Sequence, residues 1–564
     1  MLINLFLISS AVFANDNIPD ATLQIAREAE IKSAVQNPAK HIVRVGLGDS
    51  SFSRYDFEKA GIFADAQMQV FDNTELIFEV PAYKTINLKL SSDMFVLTYD
   101  NGEVIDQVKG PVRFVCNDGK LGVKNLKRVG AQAFYRGEIE ITKYNKKIGR
   151  FHIVNVIDVE DYLKGVVPNE MPVYFGLEAL KAQSVAARNY VLSPRTKAYD
   201  AFDVVDSVAS QVYFGAGSEK EAGTRAVEET EGVVALYNWD LILAQYSSTA
   251  GGYTESFANV FSDPKSKVFP SVAKPYLIAK PDMLSQKPLT LEEDAAAFYK
   301  SKPDSYDMKS PYFRWQRSWT KDELQNALQS TLAAQSATGF VHPAFNKGGK
   351  LDEIVKLEVT RRGESGKIIE MEIVTKSQNY KVFKELVIRR LLTCNGKALP
   401  SANVVFEHKY DDDGNLLSVD AFGGGYGHGV GLSQYGAGFM ATELKQPYEK
   451  ILKHYYTDIT LATKPVILSS AQRIITQNFY TKHKHAEIVL DNKYQLSHVL
   501  VNINGKEKDF ELSKGFFKRV ERIDISKFIK HGRNTITFYY PPEENENKGL
   551  RLFVELTGKD DDIF

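Results

Sequence analysis

The chain has 564 residues, a formal net charge of -1 and 11% aromatic side chains, 28 of them tyrosines. So balanced a charge leaves no global field to draw in nucleic acid or an anionic membrane. The length allows about two to four domains, each with ample surface to bury.

The first residues, "MLINLFLISSAVFANDN", carry an apolar run from Leu2 to Phe13 that is too short to span a bilayer. Val12-Phe13-Ala14 has the small-x-Ala shape of a signal-peptidase site, although no Lys or Arg stands near Met1. Residues 1–14 are therefore read as a signal peptide, and the mature chain as exported to the periplasm, cell wall or medium. No other run is long enough for a membrane helix. Residues 20–36 show helical periodicity, and residues 15–149 form a helical lead followed by a strand region. From His41 to about Gly149 the pattern is one of short alternating strands. Asn101-Gly102 and Asp118-Gly119 read as hairpin turns, since both dipeptides accept positive φ. Cys116 and Cys394 could form one bridge in an oxidising compartment but read rather as unpaired buried thiols, and no Cys/His cluster has zinc spacing. His483 and His485 lie on an expected strand and read as a solvated edge.

The period changes in "EDYLKGVVPNEMPVYFGLEALKAQSVAARNYVL". Glu170 stands between Pro168 and Pro172. Pro172 pushes Met171 into extended geometry, and Pro168 fixes its own φ. A carboxylate on so stiff a frame, beside Val167, Met171 and Tyr174, suits a general acid; it also suits a capping or surface glutamate. Beyond it Leu177, Leu180, Ser184, Val185, Arg188 and Val191 fall on one helical stripe, and alanines permit close packing. Lys181, Ser184 and Arg188 share a face, so the two cations orient a carboxylate, bind an anionic or sugar ligand, or reach solvent. Ser193-Pro194 ends the helix. Two further stretches look built for close approach. "YSSTAGGYTESF" sets Ser248 and Thr249 before Gly251, Gly252, Tyr253 and Glu255. "GGGYGHGVGLSQYGAG" isolates His428 among glycines ahead of Ser433, Gln434 and Tyr435, and lacks the Gly-Lys-Ser/Thr ending of a phosphate loop. Residues 280–350 look like an insertion. Strands return from Leu351, a helix is expected near 446–456, and residues 466–564 read as a separate β-sandwich that can be removed. The fold class is α+β: a strand-rich region with a long alanine-rich helix, plus that C-terminal sandwich.

Taken together, "YLKGVVPNEMP", "EALKAQSVAARNYVL", "DSVASQVYFG", "EGVVALYNWDLILAQYSSTAGGYTE", "SPYFRWQRSW", "GHGVGLSQYGAGFMA" and "YEKILKHYYTD" resemble, in order, the stage II sporulation protein D family of peptidoglycan lytic transglycosylases. The resemblance marks residues 150–465 as the catalytic domain. It implies that Glu170 is the acid/base. It also implies that Lys181, Arg188, Ser248, Thr249, Gly251, Gly252, Tyr253, His428, Ser433, Gln434 and Tyr435 bind glycan. The sequence departs from the family at Leu432, where Met is common, and at Tyr426, where Trp is common. The implied reaction cleaves the bond from N-acetylmuramic acid to N-acetylglucosamine and leaves 1,6-anhydro ends, with no metal or organic cofactor. One carboxylate suffices because the sugar's own 6-hydroxyl is the nucleophile. The expected partners are peptidoglycan glycan strands, and the related amidase enhancers suggest a cell-wall amidase as well. Two other functions stay open: a non-catalytic amidase enhancer and a glycan-binding scaffold. "IDISKFIKHGRNTITFYY" resembles the last strands of galactose-binding-like jelly rolls.

Overall fold

The computed structural model describes residues 40–194, 199–493, 496–512, 519–540 and 549–556. The expected signal peptide and the helix at 20–36 lie outside them. Helices and strands mix in several sheets, as an α+β chain should.

Two sheets form the N-terminal layers. In the seven-stranded one the central strands are Ile42–Gly46, Phe151–Asp158 and Glu138–Lys143; the other has six strands, with Lys59–Ala64 near its middle. Alternate side chains point into the shared core: Val43 and Val45 of the first strand are buried while Ile42 is exposed. Asn101-Gly102 does join paired strands, with Gly102 at φ +86°. Asp118-Gly119 does not. It carries the chain from one sheet to the other, because Val112–Val115 and Leu121–Arg128 belong to different sheets.

Strand Phe151–Asp158 runs directly into helix α1, Val159–Lys164. The Asp158 side chain caps it by accepting from the Glu160 N–H at 2.9 Å. One turn of helix, α2, follows at Val167–Glu170. Gly176, at φ +91°, then starts α3, Leu177–Leu192. Every residue of α3 from Ala179 to Asn189 is buried. This is a central helix rather than an amphipathic one, against which α4 (Glu221–Glu228) and later helices pack, and its small alanines suit that close approach.

Next come α5 (Glu292–Lys300), α6 (Lys321–Ser336) and α7 (Glu385–Leu391). A Thr320–Glu323 capping box opens α6. The core around α6 and α7 is separate and runs from Trp315 to Ala421, well past residue 350. Asp413-Gly414 turns its last hairpin, with Gly414 at φ +80°. The chain then returns to α3 through α8 (Gln434–Thr442) and α9 (Tyr448–Tyr455).

The tail is a β-sandwich, but not a separate one. Strand Thr460–Thr463 pairs with Val233–Tyr237 on one side and with Leu550–Glu555 on the other, so one sheet spans both regions. Phe479, Ile488, Val501 and Val554 share the apolar core that holds α3. Cys116 and Cys394 are unpaired, the first buried and the second half-buried. His483 lies just beyond strand Ile474–Thr481. It is buried against Glu449 of α9 at 3.0 Å, which corrects its assignment to a solvated edge.

Candidate active site

Glu170 ends α2, and the two prolines act as their positions require. Pro168 sits in the first turn, where its missing N–H costs no helical bond; Met171 is extended at φ −128°, ψ 126° ahead of Pro172. The turn is anchored from three sides. The Glu170 N–H donates to the Val166 carbonyl at 2.9 Å. Asn169 Nδ2 donates to the Gly165 carbonyl and to Ser218 Oγ, each at 2.7 Å. Pro168 presses on Gly223, where a Cβ would come within 3.1 Å of the proline ring.

Three donors meet the half-buried carboxylate. The Val212 N–H donates to Oε1 at 2.6 Å, and the side chains of Gln434 and Tyr246 also hydrogen-bond it. Each side chain is itself oriented. Gln434 Nε2 donates to Gln183 Oε1 of α3 at 3.3 Å. The Tyr246 hydroxyl accepts from Gln211 Nε2 at 2.9 Å, which leaves its own proton for Glu170. Gln211 is held in turn by the Ala187 carbonyl and the Tyr162 hydroxyl. Burial opposes the charged form more strongly than these bonds favour it, and the Glu170 carboxyl is pushed up to about 7. No second carboxylate contributes to that shift.

His428 works one shell out. Burial, then the Lys367 and Arg389 charges, push it down to about 3, so the ring is neutral. Its Nδ1 accepts from the Val430 N–H at 3.0 Å, and the ring also bonds the Tyr246 backbone. Tyr246-Ser247 and Leu432-Ser433 run parallel and paired, so the glycine loop grips the strand that carries Tyr246. The glycines make the grip possible. At Gly431 (φ +71°) a Cβ would sit 2.1 Å from the Gln245 carbonyl oxygen.

The other expected residues divide by depth. Ser433 is buried and caps α8, accepting from the Gly436 N–H. The buried Thr249 hydroxyl bonds that of Ser310 at 2.7 Å. The Gly251 and Gly252 N–H groups both donate to the buried Asp307. Tyr253 packs in a small apolar cluster with Met283 and Phe298. All of these are buried. Ser248 and Tyr435 stand nearer solvent, joined by the Tyr435 N–H to Ser248 carbonyl bond at 3.1 Å. Tyr435 meets Phe175 at 4.8 Å between ring centroids, and its neighbour Tyr174 is 73% exposed. Tyr174 thus lies on the rim, whereas Val167 and Met171 are core.

Lys181 and Arg188 are not brought to Glu170. Lys181 is paired with Glu178 and Glu229 at 2.9 and 2.6 Å. Arg188 is 1% exposed, forks onto Glu160 at 2.8 and 2.6 Å, and donates to the Val233 carbonyl. Their shared face points at α1, α4 and the C-terminal sheet, while Gln183 and Ala187 turn toward the site. Glu255 is fully buried and takes bonds from Ser365, Ser256 and Asn259. Sequence reasoning did not nominate Tyr246, Gln211, Gln183 or the Val212 N–H. Tyr246 and Gln183 do lie inside stretches that already looked unusual.

Residues 147–237 match the family described as Stage II sporulation protein, and residues 263–431 match a domain of unknown function, DUF8618. Stage II sporulation protein D of Bacillus subtilis is 30% identical over 332 residues, 56% of this chain and 78% of that protein. The chain belongs to the stage II sporulation protein D family. Glu170, Gln183 and Gln211 fall within the first match, and His428 within the second. An uncharacterised protein of Brachyspira hyodysenteriae is 30% identical over 58% of this chain and 72% of its own length. The amidase enhancer of Bacillus subtilis is 30% identical over 383 residues, 63% of this chain; the match spans half of that protein. Among the described residues, no helix of this family member is long and apolar enough to cross a membrane.

Proposed function

We propose that this protein is a peptidoglycan lytic transglycosylase, acting outside the cytoplasm after loss of residues 1–14. The reading rests on one observation above all: Glu170 is fixed in a rigid turn with three donors on its carboxylate, and burial pushes its pKa up to about 7. A proton donor at neutral pH needs a raised carboxyl pKa, and desolvation supplies it here.

The reaction needs one carboxyl. Glu170 gives its proton to the oxygen leaving from C1 of the muramic acid residue. The C1–O bond breaks, and the substrate's 6-hydroxyl oxygen bonds to C1. That hydroxyl's proton passes to Glu170, which returns to its starting form, and no water is consumed. The Val212 N–H and the Gln434 and Tyr246 side chains steady the transient carboxylate. Ser248, Gln434, Tyr435 and Tyr174 are proposed to line the glycan groove. Thr249, Gly251, Gly252, Tyr253, His428 and Ser433 are proposed to shape it from behind. The catalytic unit is taken as residues 150–465, with residues 15–149 and 466–564 flanking it.

Mass spectrometry of digested glycan strands tests the proposal: 1,6-anhydro-N-acetylmuramic acid ends with the wild type and none with Glu170→Gln. A second reading draws on the name of one relative, in which this protein activates a cell-wall amidase without cutting glycan. Amidase stimulation that is equal for the wild type and Glu170→Gln, with no glycan product from either, selects that reading.

A further inference from the structure

On the side of α3 turned away from Gln183, a cleft of about 640 Å³ opens between α1, α4 and strand Ile474–Thr481 of the C-terminal sandwich. Six cationic and six anionic side chains line it. Most neutralise one another: Arg188 with Glu160, Arg225 with Glu229, Arg533 with Glu231 and Lys164 with Asp161. Of the rest, Glu228 approaches Lys164 at 4.0 Å and Asp158 feels the Lys40 charge, which leaves Lys464 as the lining cation with no carboxylate partner among the described residues. Lys464 Nζ instead approaches His41 Nδ1 at 3.4 Å, and burial and cationic neighbours keep that ring neutral. Gln477 lies alongside and is 8% exposed. Its Nε2 donates to the Lys464 carbonyl at 2.8 Å, which fixes the amide and leaves Oε1 with no donor.

A half-buried ammonium without a counter-ion and a buried acceptor without a donor are both costly, and one ligand can satisfy both. That ligand carries an anionic group for Lys464 and an N–H for the acceptor. A polyanion finds no net positive charge here, since the six lining cations are matched by six carboxylates. A neutral glycan leaves Lys464 uncompensated. We infer that this cleft binds a short peptide with a free carboxylate, held by Lys464 beside Gln477. If the protein works on peptidoglycan, the class is the stem peptide; that clause rests on the proposed function.

Calorimetric titration of the full mature chain with synthetic L-alanyl-γ-D-glutamyl-L-lysine tests it. Saturable binding is expected, weakened at least about tenfold by Lys464→Gln, kept by Lys464→Arg and unchanged in Glu170→Gln. On wild-type protein the fully amidated peptide should bind at least about tenfold more weakly, a comparison that needs no variant to fold. No saturable heat, or equal affinity for the acid and amide forms, overturns the inference. An all-L isomer that binds as tightly overturns the stem-peptide assignment. Peptide binding without any glycan cleavage leaves the cleft standing and removes the enzyme reading.

Discussion

Glu170 is the residue on which the proposed chemistry turns, and its raised pKa has a cost that can be measured. A carboxyl moved from the usual 4.5 to about 7 binds its proton more tightly in the folded state than in the unfolded one. Stability therefore falls as pH rises from 4.5 to 7, by roughly 3 kcal/mol at most, and stays lower above that. Gln carries no charge to desolvate. Glu170→Gln should thus melt like the wild type at pH 4 and several degrees higher at pH 8, while cleavage drops about 10⁴-fold or more, below detection. Equal melting curves at pH 8 would contradict the desolvated carboxyl. Tyr246→Phe tests a partner. The Tyr246 hydrogen bond lowers the Glu170 pKa. Losing it should carry that pKa upward and shift the alkaline limb of the pH–rate profile to higher pH. A limb that stays put or moves down would take Tyr246 out of the site.

At the scale of elements, α3 shows what a sequence conveys and what it hides. The stripe through Lys181, Ser184 and Arg188 is a real face of a real helix. Periodicity fixes which residues share a face but not what that face meets, and this one meets Glu160, Glu229 and the C-terminal sheet. The partner of Arg188 lies 28 residues upstream, on another helix. Arg188→Ala should therefore act on folding, costing about 3 kcal/mol by emptying the buried site of the guanidinium and leaving half-buried Glu160 and the Val233 carbonyl without their donor. Urea melts check this, and a variant of wild-type stability with poor cleavage would return Arg188 to the groove. The α2 turn was legible because two prolines state their backbone angles outright. Gln211 was not, since a lone amide in a loop has no period and shows its role only when folding sets it between Tyr162 and Tyr246.

At the scale of the whole molecule, the tail is bound into the core. Strand Leu550–Glu555 pairs with Thr460–Thr463 and Val466–Leu468. Phe553 and Val489 cover Val234, Leu236 and Ala462. Alternation in "HVLVNING" and "LRLFVEL" revealed the strands but not their partners, because pairing across some 90 residues leaves no local mark. Deleting residues 466–564 should thus abolish the cooperative melt, as followed by circular dichroism. A truncated chain that still melts cooperatively would mean that the shared sheet is dispensable. The central claim is that Glu170 drives an intramolecular closure, and isotope incorporation tests it most directly. Glycan strands are digested by the full protein in H₂¹⁸O and their new ends weighed. The expected result is 1,6-anhydro ends with no ¹⁸O, formed by the wild type and absent with Glu170→Gln. Reducing ends carrying one ¹⁸O would make water the nucleophile and contradict the mechanism.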